Sequence, residues 1–272
     1  MIVQTLLRSS LCLGLLLAGS ALPGQTADLE VDVELFLAVD VSRSMSPAEL
    51  EIQRRGYAEA LASDEVLSAI GGGMIGRIAV TYVEWAGDRS QSVIVPWTLI
   101  DSREDALAVS DTLTAQFNGN MRRTSISAAL LYAADSFEGN GFAGLRRIID
   151  VSGDGPNNQG PMVLTARDTV LARGVVINGL PLMTQDALSI RWGIEDLDVY
   201  YTNCVIGGPG SFVSPVHDWD QFARAVRRKL VLEIAGLPVT PAPATTVRPV
   251  AGYDCLIGEK IWERNQIYWD SP

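Results

Sequence analysis

Leu35–Met45, L-F-L-A-V-D-V-S-R-S-M, is the stretch on which the reading of this chain turns. The residues before it, Val31–Leu35, alternate as V-D-V-E-L, and the run then becomes continuously apolar. A strand of that pattern enters a sheet that is covered on both faces. It ends abruptly in Asp40, Ser42 and Ser44, spaced i, i+2, i+4. In a turn leaving a strand, alternate residues aim their oxygens at one centre. Carboxylate and hydroxyl oxygens are hard ligands, suited to Mg2+, Ca2+ or Mn2+ and not to copper or zinc.

The whole chain is compatible with such a site. It has 272 residues, 47% hydrophobic and 19% charged, enough for a sizeable core. The length suits one large α/β domain with an appendage. The formal charge is −11, and an acidic surface repels phosphate backbones, so nucleic acid is not an expected partner. The N-terminus has one early charge, Arg8, then L-C-L-G-L-L-L from Leu11 to Leu17 and small residues A-G-S-A. That pattern is a signal peptide, residues 1–27, with cleavage after Ser20, Ala21 or Ala27. The apolar stretch is shorter than the roughly 20 residues a membrane span needs, and no later segment is long enough. We therefore expect export, to the periplasm or the exterior. In an oxidising compartment the two cysteines left after cleavage, Cys204 and Cys255, are most simply one intramolecular disulfide, with two buried free thiols as the alternative.

Further along, Ser46-Pro47-Ala48-Glu49 is a helix start with a capping box, and the helix is expected to run to about Leu67 before Gly71-Gly72-Gly73. Arg77–Trp85 reads as the second strand and Ser92–Val95 as the third, antiparallel to it across a short turn and ending at Pro96. Helices follow from Ser102 and over Ser125–Phe137. The fourth strand, Arg147–Val151, is again apolar and again ends in polar residues, Ser152-Gly153-Asp154-Gly155. A helix near Met162–Arg173, a strand over Val175–Leu180, an irregular or helical stretch near Asp186–Val205 and a sixth strand at Phe212–Val216 complete the sheet. Asp218–Ile234 is a helix with Phe222, Ala225, Val226, Leu230 and Ile234 on one face. Residues 28–236 thus form the domain, and 237–272 a Pro/Thr linker and a tail, with Trp262, Tyr268 and Trp269, that packs back on it. The pattern gives a mostly parallel, doubly wound sheet with one antiparallel edge and helices on both faces. In such sheets ligands bind where the carboxyl ends of neighbouring strands diverge. With the first and fourth strands side by side, Asp40 and Asp154 share a rim.

At this point the residues carry a resemblance. D-V-S-R-S, Asp40–Ser44, resembles the D-x-S-x-S of von Willebrand factor A domains, whose metal-ion-dependent adhesion site adds a threonine from a later loop and an aspartate after the fourth strand. Here R-R-T-S-I-S-A-A-L places Thr124 just before a helix, and I-I-D-V-S-G-D-G places Asp154 before Gly155. The resemblance spans about Val31–Ile234. It implies a six-stranded sheet of order 3-2-1-4-5-6 with strand 3 antiparallel. It also implies that Ser42 and Ser44 hold Mg2+ (Mn2+ or Ca2+ as alternatives) directly, that Asp40 and Asp154 act through waters, and that Thr124 does either. The implied function is non-enzymatic adhesion, in which the metal accepts an Asp or Glu carboxylate from a protein partner. Tyr200–Phe212, Y-Y-T-N-C-V-I-G-G-P-G-S-F, resembles a bacterial exported subfamily of unknown role. One departure stands out. Arg122 and Arg123 precede Thr124 where the family has small residues, often glycine; a guanidinium there opposes a second cation or holds a partner carboxylate, unless both side chains point to solvent.

Other readings compete with adhesion. The Asp40 loop is alternatively turn and cap chemistry alone, or a metal held for stability. An aspartate-dependent phosphatase resembles D-x-D, but the second position here is Ser42. His217 has no G-x-S-x-G to work with. Gly207-Gly208-Pro209-Gly210 lacks the Lys and Ser/Thr of a phosphate loop. Asp150 inside its strand reads as a hydrogen-bonded residue, and Trp262 and Trp269 as tail packing.

Overall fold

The computed structural model describes residues 27–115, 121–184, 192–236 and 252–270. Residues 1–26 of the expected signal peptide and the Pro/Thr stretch over 237–250 lie outside these residues. Strand β1 (Leu29–Asp40) is buried without interruption from Val31 onward. It pairs in parallel on both sides, Leu35 facing Val80 of β2 (Ile78–Trp85) and Ile148 of β4 (Phe142–Gly153). β3 (Gln91–Ile100) lies antiparallel outside β2, and β5 (Val176–Pro181) parallel outside β4. The sheet is five-stranded, β3-β2-β1-β4-β5.

Successive residues of β1 serve opposite faces, as the strand pleat requires. Leu35, Leu37 and Val39 pack in one core with Tyr57, Leu61, Phe222, Val226 and Leu230. These come from α1 (Pro47–Leu61) and α7 (Phe222–Ala235). Phe36 and Ala38 pack in the other, against Ile126, Leu130 and Phe137 around α4 (Ile126–Ser136) and Val163 and Val170 of α5 (Val163–Leu171). α2 (Asp64–Gly71) and α3 (Arg103–Ala115) flank the first core.

Three expectations need correction. The sixth strand is absent as a strand. Phe212–Val216 runs beside β5 and hydrogen-bonds to it, Gly179 N to Phe212 O at 3.0 Å and Val216 N to Pro181 O at 2.9 Å, but makes only isolated bridges at Val213 and Val216. The donor that would join the bridges is residue 181, and a proline has no N–H. The first helix does not reach Leu67. It stops at Leu61, and Ser63 caps α2 by accepting from Val66 N at 3.3 Å, so Ser63-Asp64-Glu65 is a second helix start. β3 continues past Pro96 to Ile100. Pro96 sits on the edge strand opposite a register shift in β2, where Thr81 Oγ1 donates to Val95 O at 2.7 Å.

Beyond β5 the chain forms a short helix, α6 (Leu197–Tyr200), continuing as a π-helical turn over Tyr201–Val205. Cys204 there is bonded to Cys255, the expected disulfide. The helix expected from Asp218 begins as a 3-10 turn, Trp219–Gln221, before α7. A last helix, α8 (Ile257–Asp270), follows Cys255. Among the described residues no helix is long and apolar enough to cross a membrane.

Candidate metal centre

β1 and β4 are neighbours with parallel register, so their last residues, Asp40 and Gly153, reach the same edge of the sheet. The Asp40 carboxylate turns back on its own chain, accepting from Ser42 N at 2.7 Å through Oδ1. Gln53 Nε2 of α1 donates to Asp40 O at 2.9 Å and fixes the strand end. Ser42 Oγ and Ser44 Oγ lie 3.0 Å apart, and Ser44 Oγ donates to Asp154 Oδ1 at 2.8 Å. Four of the five expected residues are therefore linked side chain to side chain or through one backbone N–H.

Thr124 arrives by backbone. Met121 N donates to Val41 O at 2.9 Å, so the segment leading to Thr124 is bridged to the Asp40 loop at Ser42. On its other side Thr124 N donates to Asn158 Oδ1 at 3.0 Å, and Asn158 N donates to Thr124 O at 2.9 Å. That tie runs to the loop of Asp154. Ser125 N also donates to Ala86 O at 2.7 Å, and Ser125 Oγ to Gln159 O at 2.9 Å. The three loops are laced to one another by direct hydrogen bonds.

Gly153 makes this approach possible. A Cβ there would stand 2.9 Å from Asp40 Oδ2 and 2.9 Å from the Tyr201 hydroxyl. Asp40 is fully buried, and its Oδ2 has no hydrogen-bond partner. Burial, and then the neighbouring charge of Asp154, push the Asp40 carboxyl well above the usual carboxylate range; the N–H and hydroxyl of Ser42 pull the other way. The buried Tyr201 hydroxyl is likewise without a partner, and burial pushes it up, Asp40 adding to the effect. Two acids, one with an orphaned oxygen, and a cluster of hydroxyls make a donor set that fits a hard divalent cation. No cluster of three or more His, Cys, Asp or Glu that could hold a metal occurs among the described residues, so the candidate set combines two carboxylates with hydroxyls.

The remaining expected residues fall elsewhere. His217 is exposed between β5 and α7. Asp150 is buried in β4 and ion-paired with Lys229 Nζ at 2.6 Å, so it belongs to a charge cluster rather than to the rim. Arg122 is exposed. Arg123 is not directed to solvent alone: its guanidinium stacks 3.3 Å above the ring of Trp262. The side chain of Trp269 lies outside the described residues. Gln53, Asn158 and Tyr201 were not identified from the sequence. Gln53 was detectable as a polar residue on the buried face of α1, beside Leu50, Tyr57 and Leu61.

The fold is of the von Willebrand factor A type. It resembles proximal thread matrix protein 1 (PTMP1) from the mussel byssus, at 15% identity and a TM-score of 0.56, over 78% of this chain and 49% of that one. A further PTMP1 structure, described as having a zinc occupied MIDAS motif, matches at 15% identity and a TM-score of 0.53, over 77% and 49%. The pilus adhesin SpaC from Lactobacillus rhamnosus GG, in its open conformation, matches at 12% identity and a TM-score of 0.54, over 77% of this chain and 31% of that one. The chain thus spans about half of PTMP1 and less of SpaC. The sequence matches no curated protein. A family model described as protein of unknown function (DUF1194) matches residues 30–238.

Proposed function

The chain belongs to the DUF1194 family, and on that premise we propose that it is an exported, divalent-cation-dependent protein-binding module. Asp40, Ser42, Ser44, Thr124 and Asp154 hold the ion. Mg2+ is our preferred occupant, with Mn2+ or Ca2+ as alternatives. The observation that carries this reading is Asp40: a fully buried carboxylate with an orphaned oxygen, set beside a second carboxylate and two serine hydroxyls. When bound, the cation neutralises these acids and offers an open position to a carboxylate from a partner's Asp or Glu. The protein's part is to orient. Gln53 fixes the end of β1, Gly153 admits Asp40 to the rim, and Asn158 holds Thr124.

A purely structural role for the ion is disfavoured because the three loops are already joined by direct hydrogen bonds. Hydrolysis is disfavoured because Asp40, the only candidate nucleophile of the phosphatase reading, is fully buried and has Ser42 where a second carboxylate would stand. The Cys204–Cys255 bridge supports an oxidising compartment, periplasmic or extracellular. The test is capture of a partner on immobilised protein with Mg2+, with EDTA, and with Asp40→Ala. We expect capture only with Mg2+ and the native residue. Capture unaffected by EDTA contradicts the reading, and a melting temperature that falls in EDTA while capture persists favours the structural role.

A further inference from the structure

Arg123 is the one non-glycine residue with a positive φ among those described, at 76°. An arginine in the left-handed region is strained by its Cβ, and such strain persists where surrounding contacts over-determine it. The contact here is remote in sequence. The Arg123 guanidinium lies 3.3 Å above the Trp262 ring of α8, and that ring stacks on Trp192 at 5.1 Å with an interplanar angle of 26°. The residue after Arg123 is Thr124, the only member of the proposed ligand set that reaches the rim through its backbone.

α8 is held in place by several independent contacts. Cys204–Cys255 anchors its start. Gly258 sits so close to the Asp154 loop that a Cβ would stand 2.0 Å from Asn157 O. Asn157 Nδ2 donates to Glu259 Oε1 at 2.8 Å, and the Tyr253 hydroxyl donates to Asp196 Oδ2 at 2.9 Å. An isolated helix of this length is marginal in water, so these contacts, not propensity, keep it there. The helix therefore reaches the Asp154 loop through Asn157 and the Thr124 segment through Arg123.

We propose that Trp262 is a positioning residue for Thr124: its ring holds Arg123 in the left-handed conformation, and α8, tethered by the disulfide, thereby sets where the Thr124 arm stands on the metal rim. This rests on the metal-binding reading above and extends it to the chain's own tail. A glycine at position 123 adopts this φ without help, so the role of Trp262 should depend on which residue occupies that position.

That dependence is the test. Four full-length proteins are compared: native, Trp262→Ala, Arg123→Gly, and the double variant. Amide hydrogen exchange at Thr124 and Asn158 is followed in the metal-free proteins, and Mn2+ affinity is measured by calorimetry. With Arg123 present, Trp262→Ala should speed exchange at both amides and weaken Mn2+ binding about five- to tenfold. In the Arg123→Gly background the same substitution should change both by less than about twofold. Trp262→Phe, which keeps a ring, should retain most of the native affinity. Equal losses in both backgrounds would mean that α8 acts by packing alone and would overturn the proposal, as would no loss in either. Absence of Mn2+ binding in all four proteins sinks the metal reading and this proposal together; Mn2+ binding without the dependence sinks this proposal alone.

Discussion

Asp150 in β4 and Asp154 just past its end stand four residues apart, and the protein treats them in opposite ways. Asp150, in the body of the strand, is buried against α7. Lys229 Nζ lies 2.6 Å from it and also pairs with Glu233, and Asn178 Nδ2 donates to Glu233 Oε1 at 2.8 Å. Asp154, past the strand end, faces Ser44 and the Asp40 carboxylate instead. Burial is the largest influence on both Asp150 and Asp40. At Asp150 the next influence is a lysine that opposes it; at Asp40 it is another carboxylate that reinforces it. Buried charge is tolerated when paired within the chain. The lower cluster brings its own cation, and the rim is built as though its cation came from outside.

Substitutions that make one region resemble the other should expose this difference. The largest effect is expected at Lys229. Lys229→Met leaves Asp150 and Glu233 buried together with no cation between them and should cost about 3–5 kcal/mol in chemical denaturation. A loss under 1 kcal/mol would mean that both acids are simply neutral.

The next effect is a pH dependence. Burial, and then the Asp150 charge, push Glu233 up to about 7 from an ordinary 4.5, against the pull of Lys229 and Asn178. Between these values the folded protein keeps a proton that the unfolded chain has released. Stability should therefore fall as pH rises through that window, by on the order of 3 kcal/mol, and level off above it. Glu233→Gln should flatten that part of the profile in thermal melts. A native protein whose stability rises steadily from pH 5 to 7 would contradict the assignment.

The smallest effect concerns the rim. In EDTA, Asp40→Asn removes a buried carboxylate that burial and Asp154 disfavour, while keeping an oxygen for Ser42 N. It should be neutral or stabilising by about 1 kcal/mol at neutral pH. Marked destabilisation would show that the rim is already charge-balanced without a metal.

What could be read in the sequence follows from how local its causes are. The ends of β1 and β4 are marked by apolar runs that stop at Asp40 and at Ser152-Gly153-Asp154. The capping box at Ser46 and Glu49 closes as expected, with Ser46 N donating to Glu49 Oε2 at 2.7 Å and Glu49 N to Ser46 Oγ at 3.3 Å. Glu49 also accepts from Trp219 Nε1 at 2.8 Å, a link no local pattern announces. Lys229 and Glu233 were half-legible. They are four apart and fall on the face of α7 that carries Val226 and Leu230, so their burial follows from the helical period. The loss of the sixth strand depends on a single missing N–H at Pro181, visible only once β5 and the 212–216 segment are placed together. The same holds for Asn158 under Thr124 and for Trp262 against Arg123. Each is a contact between segments distant in the chain, which composition and periodicity do not encode.

The proposed function requires a cation at the junction of the three loops. Crystals grown or soaked with Mn2+ and measured for anomalous scattering test this directly. We predict one strong peak within coordination reach of the Ser42 and Ser44 hydroxyls, enclosed by Asp40, Thr124 and Asp154. A saturated crystal with no peak there, its Mn2+ found only on the acidic exterior, would contradict the account.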